Sequence, residues 1–260
     1  MHFSSLIRKS AIVAAALAVG GTTFLGAPAT AQAAPAFEIT AINAATTLTV
    51  PTTRTDFPVT VTFDGPDATA DLVYRSYSST YDGPSVTHID GLVSSPSKPS
   101  FSVTPGSVAP RTPAQYAISL SPYTDPGKYR ITIPISQKNY DTSAVVDKVA
   151  TYELTVIANP AVTASESRYD GYGKYSKKSK WTWSYSGPSY MSAAPVKVYY
   201  KAKGKKKYVK VASGWTSASG SVTFKGKKGA IRKKGTVYFV IGGVAYAPGF
   251  QSAVMKLVTR

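Results

Sequence analysis

The chain has 260 residues, of which 43% are hydrophobic and none is cysteine, and its formal net charge is +17. The absence of cysteine excludes disulfides, thiolate metal sites and a lipid anchor on an N-terminal cysteine. No acidic residue follows Asp170, so residues 171–260 carry a net charge of +19, whereas residues 34–170 carry −4. This asymmetry predicts two domains, the second of which faces an anionic partner.

Residues 1–33 have the composition of a cleaved secretory signal peptide. A short segment with Arg8 and Lys9 precedes an apolar stretch that contains glycine, and Ala31-Gln32-Ala33 offers a small-residue cleavage site. We therefore expect a secreted protein whose mature chain begins near Ala34. No later segment has the roughly 18 consecutive apolar residues that a membrane helix needs.

In the first half of the mature chain, apolar and polar residues alternate with a period of two, which is typical of half-buried β-strands. The alternating segments are 58–63, 71–77, 114–120, 127–135 and 150–157. Proline, serine and glycine occur between them, as in surface loops. Pro134 lies within one segment and predicts a strand end or a sheet edge there. We predict an all-β fold, with a first β-sandwich over residues 34–158.

The sequence DPGKYRI, which starts at Asp125, has a more specific pattern. Immunoglobulin-fold domains place a tyrosine near the start of strand F, and its hydroxyl binds the backbone a few residues upstream. Asp125, Gly127 and Tyr129 fit this pattern, and Ile131 follows at a predicted core position. The region 37–158 therefore resembles an immunoglobulin-like or fibronectin-III-like module that lacks the cysteines of antibody domains. The resemblance implies a spacer or a protein-contact module.

Residues 159–178 mark a boundary and are predicted to be a linker or the first strand of a second domain. After this boundary, one face of a predicted strand carries three aromatic residues, Trp181, Trp183 and Tyr185. Several further strands, two of them joined by a tight lysine and glycine turn, predict a second, basic β-sandwich over residues 179–260.

This second half resembles an immunoglobulin-like module of secreted proteins from Gram-positive actinobacteria. The matching segments are Val196–Lys201, Gly204, Tyr208–Val211, Ser219-Gly220, Val222–Phe224 and Gly242–Pro248. The resemblance implies an accessory module without catalytic residues. We therefore expect two tandem immunoglobulin-like or fibronectin-III-like β-sandwich domains after the signal peptide.

Signals for an enzyme are few. His88 is the only histidine outside the predicted signal peptide, with Asp90 two residues later, but the G-x-S-x-G elbow of serine hydrolases is absent. Asp64, Asp67 and Asp71 form a run that predicts a turn between strands, with a weak calcium site as the alternative. We expect no enzymatic activity, no metal site and no cofactor.

The three tryptophans, Trp181, Trp183 and Trp215, are candidates for stacking on sugar rings. The favoured alternative for Trp181 and Trp183 is the core, because a sandwich with few leucines and isoleucines needs large aromatic side chains. Trp215 follows Ser213-Gly214, which is predicted to be a turn, so Trp215 is the better candidate for exposure.

Basic residues concentrate in three segments, which we call the first, second and third lysine segments: residues 174–180, 201–210 and 225–234. Each lies at a predicted loop or hairpin tip. If these tips share one end of the sandwich, they combine more than ten positive charges; the alternative is a set of solvated lysines that keep the protein soluble. The predicted polyanion-binding residues are Lys174, Lys177, Lys178, Lys180, Lys201, Lys203, Lys205, Lys206, Lys207, Lys225, Lys227, Lys228, Arg232, Lys233 and Lys234.

Lysine outnumbers arginine 17 to 2 in residues 171–260, which favours loose contact with polyanions over bidentate recognition of phosphates or bases. The expected partners are acidic cell-wall polymers or an anionic membrane surface, and extracellular DNA would bind non-specifically through the same charges. The sequence shows neither the recognition helix nor the aromatic motif that sequence-specific nucleic-acid binding would require. The alternative function is a carbohydrate- or peptidoglycan-binding module that uses exposed tryptophan or tyrosine. The sequence gives no indication of oligomeric state.

Overall fold

The computed structural model describes residues 38–64, 70–73, 85–90, 97–103, 107–108, 113–139 and 145–259. Within these ranges the chain forms nineteen β-strands, one α-helix and one 3-10 helix. The predicted all-β class is confirmed. Neither described helix is long and apolar enough to cross a membrane.

Ten strands between residues 38 and 157 form the first pair of sheets. They are β1 Glu38–Ala44, β2 Thr47–Thr49, β3 Thr55–Asp64, β4 Ala70–Val73, β5 Ser85–His88, β6 Ser100–Val103, β7 Ser107–Val108, β8 Ala114–Leu120, β9 Gly127–Asn139 and β10 Val145–Ile157. One sheet has the order β1-β3-β8-β6, and the other has the order β2-β10-β9-β4-β7, with β5 also beside β9. The alternating segments of the sequence correspond to β3, β4, β8, β9 and β10, and residues 74–77 of the second segment lie outside the described residues.

One hydrophobic core fills the space between these two sheets. Val59 and Ile118 of one sheet pack in the same cluster as Ile131 and Leu154 of the other, and each is at most 1% exposed. Alternate residues of a strand point to the same face, so a period-two pattern delivers one apolar row to this core. Full burial of each such side chain stabilises the fold by roughly 1.5–3 kcal/mol.

Pro134 lies inside a strand, so the predicted strand end is wrong. Strand β9 continues to Asn139, and Pro134 pairs with Val149 of β10. On its other side, β5 pairs with residues 129–132 and β4 pairs with residues 136–139. Among the described strands none pairs with Pro134 on that side, so the missing N–H of proline is tolerated at this local edge.

Tyr129 makes the hydrogen bond that the DPGKYRI pattern predicted. Its hydroxyl donates to the carbonyl oxygen of Asp125 at 2.6 Å, and its ring is buried. Burial raises the pKa of Tyr129, and the charges of Asp125 and Asp90 add to the shift. The phenol therefore remains a donor, and the bond fixes the turn that leads into β9.

The boundary segment contains helix α1, Pro160–Glu166, followed by strand β11, Arg168–Gly173. Asn159 caps the helix, since its side-chain oxygen accepts a hydrogen bond from the amide of Ala161 at 3.0 Å. The predicted linker thus contains a helix that the sequence pattern did not indicate. Strand β11 agrees with the alternative prediction of a first strand.

The remaining strands form a second pair of sheets. They are β12 Thr182–Ser186, β13 Pro195–Ala202, β14 Val209–Trp215, β15 Ser221–Lys225, β16 Gly235–Ile241, β17 Phe250–Gln251, β18 Met255–Lys256 and β19 Val258–Thr259, with a 3-10 helix at Ser189–Met191. One sheet has the order β15-β12-β11-β19, and the other has the order β14-β13-β16-β17, with β18 also beside β16.

Aromatic rings form the centre of the second hydrophobic core. Trp181 and Trp183 stack with their ring centroids 5.9 Å apart, and the rings of Trp183 and Phe239 form a T-shaped pair with centroids 6.1 Å apart. Val198 and Ile241 of the facing sheet complete the cluster. The prediction that Trp181 and Trp183 are core residues is confirmed.

Candidate functional site

The three lysine segments leave the second pair of sheets at the same end. The first segment connects β11 to β12, the second forms the β13–β14 hairpin, and the third connects β15 to β16. Thr182 pairs with Lys225 at the end of one sheet, and Ala202 pairs with Gly235 at the end of the other. The third segment therefore crosses from one sheet to the other between its two neighbours.

Backbone hydrogen bonds join the first and third lysine segments. The amide of Gly229 donates to the carbonyl of Ser179 at 2.8 Å, and the amide of Gly226 donates to the carbonyl of Trp181 at 2.8 Å. Gly229 has a φ of +67°, and a Cβ atom there would lie 2.6 Å from the carbonyl oxygen of Lys177. Only glycine satisfies both the backbone angle and the close approach.

The second and third segments are joined in the same way. The amide of Lys203 donates to the carbonyl of Lys234 at 2.9 Å. The hydroxyl of Tyr200, a residue that is 4% exposed, donates to the carbonyl of Lys233 at 2.8 Å. Burial raises the pKa of Tyr200, which keeps this hydroxyl protonated. The three lysine segments thus lie together at one end of the second pair of sheets.

Almost all the charged side chains of these segments are exposed, and Lys201 is the half-buried exception. Its Nζ atom lies 4.8 Å from the ring centroid of Tyr208, which is a cation–π contact. Arg232 also has a structural role, since its Nε donates to the carbonyl of Gly229 at 2.9 Å. The remaining lysines of the three segments are exposed.

Lys256 belongs to the same surface, although it lies outside all three segments. Strand β18 pairs with β16 so that Lys256 stands opposite Thr236. An isolated lysine near the end of the chain gives no sequence signal, and only this pairing brings it to the lysine end. We use the name lysine surface for the side chains of the three lysine segments together with Lys256.

A groove of about 440 Å³ opens on the lysine surface. The second and third segments and β18 surround it, and Ala202, Gly204, Gly235, Thr236 and Leu257 contribute to its walls. Five lysines line it: Lys201, Lys203, Lys205, Lys234 and Lys256. Sequence reasoning identified the first four as polyanion-binding residues, but it did not indicate that they share a concave site.

The tryptophans divide into two groups. Trp181 and Trp183 are 2% and 0% exposed, so their assignment as sugar-stacking residues is wrong: both rings belong to the core. Trp215 is 67% exposed and keeps that candidate role. The predicted turn at Ser213-Gly214 is also wrong, because Gly214 pairs with Val196 inside the β13–β14 ladder. Trp215 is exposed as the last residue of β14.

His88 lies at the end of β5, in the first pair of sheets. Its Nε2 is 2.7 Å from Oδ1 of Asp90, and both side chains are at most 10% exposed. The amide of Lys128 donates to Oδ2 of Asp90 at 2.6 Å, and the imidazole packs 5.0 Å from the ring of Tyr129. These contacts hold the entry to β9, so His88 has a structural role there.

The alternative prediction of a weak calcium site includes Asp67, which lies outside the described residues. Within the described ranges, no group of three histidine, aspartate or glutamate side chains could hold a metal ion.

Comparisons with known proteins find no family model and no curated protein that matches the chain. A solved protein of unknown function from Porphyromonas gingivalis W83 is 13% identical, with a TM-score of 0.31, over 86% of this chain and 98% of that chain. The CupB2 chaperone of Pseudomonas aeruginosa is 14% identical, with a TM-score of 0.24, over 82% of this chain and 98% of that chain. Similarity at this level does not bear on what the chain does.

Proposed function

We propose that the chain is a secreted, non-enzymatic protein whose lysine surface adheres to acidic polymers of the cell envelope. The supporting observation is that backbone hydrogen bonds join three lysine segments into one surface. Residues 171–260 contain no aspartate or glutamate to neutralise it. A surface that served solubility alone would mix both signs of charge.

The organisation that we propose is two tandem immunoglobulin-like or fibronectin-III-like β-sandwich domains. Two separate hydrophobic cores support it. The boundary segment contributes to both of them, since Val162 of α1 packs in the first core and Tyr169 of β11 packs against the second. The first domain would act as a spacer or a protein-contact module, while the second carries the charge.

Many weak contacts account for the adhesion. A lysine close to an anionic surface contributes about 1 kcal/mol, and the attraction decays over a Debye length of about 8 Å at physiological ionic strength. Teichoic-type wall polymers and anionic membrane surfaces both offer such charge. Extracellular DNA would bind through the same sequence-independent interaction. The predominance of lysine over arginine suits partners without a fixed geometry.

Salt titration of the protein adsorbed on isolated Gram-positive cell walls tests this proposal. We expect retention at about 0.05 M salt and release well below 1 M, because the Debye length falls to about 3 Å at 1 M. Retention that does not change with salt would contradict an electrostatic mechanism.

Trp215 supports a second candidate, a module that binds neutral carbohydrate or peptidoglycan. The indole is exposed at the far end of β14 from the lysine hairpin. Seven residues of strand span about 20 Å, so the two candidate sites do not overlap. Stacking of an indole on a sugar ring involves no net charge, so this mode of retention would persist at high salt.

A further inference from the structure

We infer that the lysine groove binds consecutive phosphate groups of a single flexible chain. This inference rests on the proposed function and makes it more specific, because it names one class of anionic polymer and one binding site for that polymer. Four of the groove lysines belong to the second and third lysine segments, and Lys256 is added by strand pairing.

Three elements hold the groove in shape. The hydrogen bond between the Lys203 amide and the Lys234 carbonyl fixes the second lysine segment relative to the third. The amide of Leu257 donates to the carbonyl of Gly235 at 3.3 Å, which ties the end of β18 to the residue that follows the third segment. Backbone contacts therefore fix the relative positions of the segments that form the groove.

The charge of the groove suits a multivalent occupant. One or two lysines neutralise a single carboxylate or phosphate, whereas five lysine residues line this groove. Lysine binds phosphate as a point charge from many directions, whereas the planar fork of arginine serves bidentate recognition of carboxylates and phosphates alike. Repeated phosphates along a flexible chain match the number of the lysines and need no bidentate geometry.

The volume of the groove suits a short stretch of a flexible chain. At about 440 Å³ it falls within the range of small-ligand sites, roughly 300–1,000 Å³. A few units of one flexible chain match this volume, whereas a rigid duplex, whose major groove alone is about 12 Å wide, is larger than a ligand of that class.

Calorimetric titration with inorganic tripolyphosphate tests the inference, with citrate as a tricarboxylate comparison. The groove variant carries Lys234→Gln and Lys256→Gln. The matched control carries Lys227→Gln and Lys228→Gln, which remove the same charge from exposed positions outside the groove. We expect about tenfold weaker tripolyphosphate binding for the groove variant, and less than about a twofold change for the control at physiological ionic strength, where distant charges are screened.

Two further readouts sharpen the test. The slope of log affinity against log salt should become shallower in the groove variant, because two cationic contacts are lost. Wild type should bind tripolyphosphate at least tenfold more tightly than citrate, and the charge-conserving Lys234→Arg should retain most of the affinity.

The possible failures are distinguishable. Equal weakening in both double variants, or equal binding of citrate and tripolyphosphate, would overturn the groove inference and leave salt-sensitive adhesion to cell walls intact. Retention on cell walls that does not change with salt would overturn the proposed function, regardless of the affinity measured for tripolyphosphate.

Discussion

Replacing one exposed lysine in each lysine segment, in the triple variant Lys178→Gln, Lys206→Gln and Lys228→Gln, should weaken adsorption to acidic cell walls about a hundredfold. Each lysine near an anionic surface contributes about 1 kcal/mol, and about 3 kcal/mol corresponds to a factor of roughly a hundred in affinity. The adsorption isotherm at low salt measures this loss. None of the three side chains lines the groove, so the effect reports on the surface as a whole.

A matched triple variant separates local from global charge. Lys98→Gln, Lys128→Gln and Lys197→Gln remove the same charge from exposed lysines outside the lysine segments. We expect a loss of no more than about threefold for this control, because charges farther than a Debye length from the polymer are screened. If both triple variants lose affinity equally, net charge alone drives adsorption and the lysine surface has no special role.

Gly229→Ala should destabilise the protein by about 2–4 kcal/mol, whereas Gly204→Ala should cost only about 1 kcal/mol. Both glycines have positive φ, +67° at Gly229 and +83° at Gly204, so either alanine raises the free energy of the folded state through its left-handed backbone. A Cβ at Gly229 would also meet the carbonyl oxygen of Lys177 at 2.6 Å, while nothing lies within 4 Å of a Cβ at Gly204. The difference measures the contact between the first and third lysine segments.

Chemical denaturation of the two variants gives the free energies of unfolding. Salt-dependent adsorption of the folded Gly229→Ala protein should also weaken, because the added methyl group pushes the first segment away from the third. Equal destabilisation by the two substitutions would show that Gly229 is not held against the first segment, and that the lysine surface is assembled in another way.

The strands were predictable because their pattern is local. Val59, Tyr129 and Leu154 each belong to a run with a period of two, and a half-buried strand produces that period directly. The same pattern does not show which face of a strand is covered by another sheet, so Trp181 and Trp183 were candidates for both the core and the surface. Their burial depends on the facing sheet, which no local signal describes.

Other features could not be predicted because they depend on partners distant in sequence. Helix α1 has seven residues, which is too short to display a helical period beside a proline. Pro134 is tolerated inside β9 because of where β4 and β5 stop pairing. Lys256 joins the lysine surface only through the register of β18 against β16.

The candidate site was also partly predictable from local sequence and partly dependent on contacts between distant residues. Composition alone identified the three lysine segments and the absence of acidic residues around them. Their convergence depends on contacts such as Gly229 with Ser179 and Lys203 with Lys234, which join residues 50 and 31 positions apart. The groove between them is a consequence of those contacts, so it could be recognised only in three dimensions.

Adhesion through the lysine surface is tested most directly by mapping amide chemical shifts of the labelled protein by NMR while an acidic wall polymer is added at low and at high salt. We expect perturbed amides in residues 174–180, 201–210 and 225–234 and at Lys256, all reversed by high salt, with the Trp215 indole unchanged. Perturbation centred on Trp215 that survives high salt, with the three lysine segments unaffected, would contradict adhesion through the lysine surface.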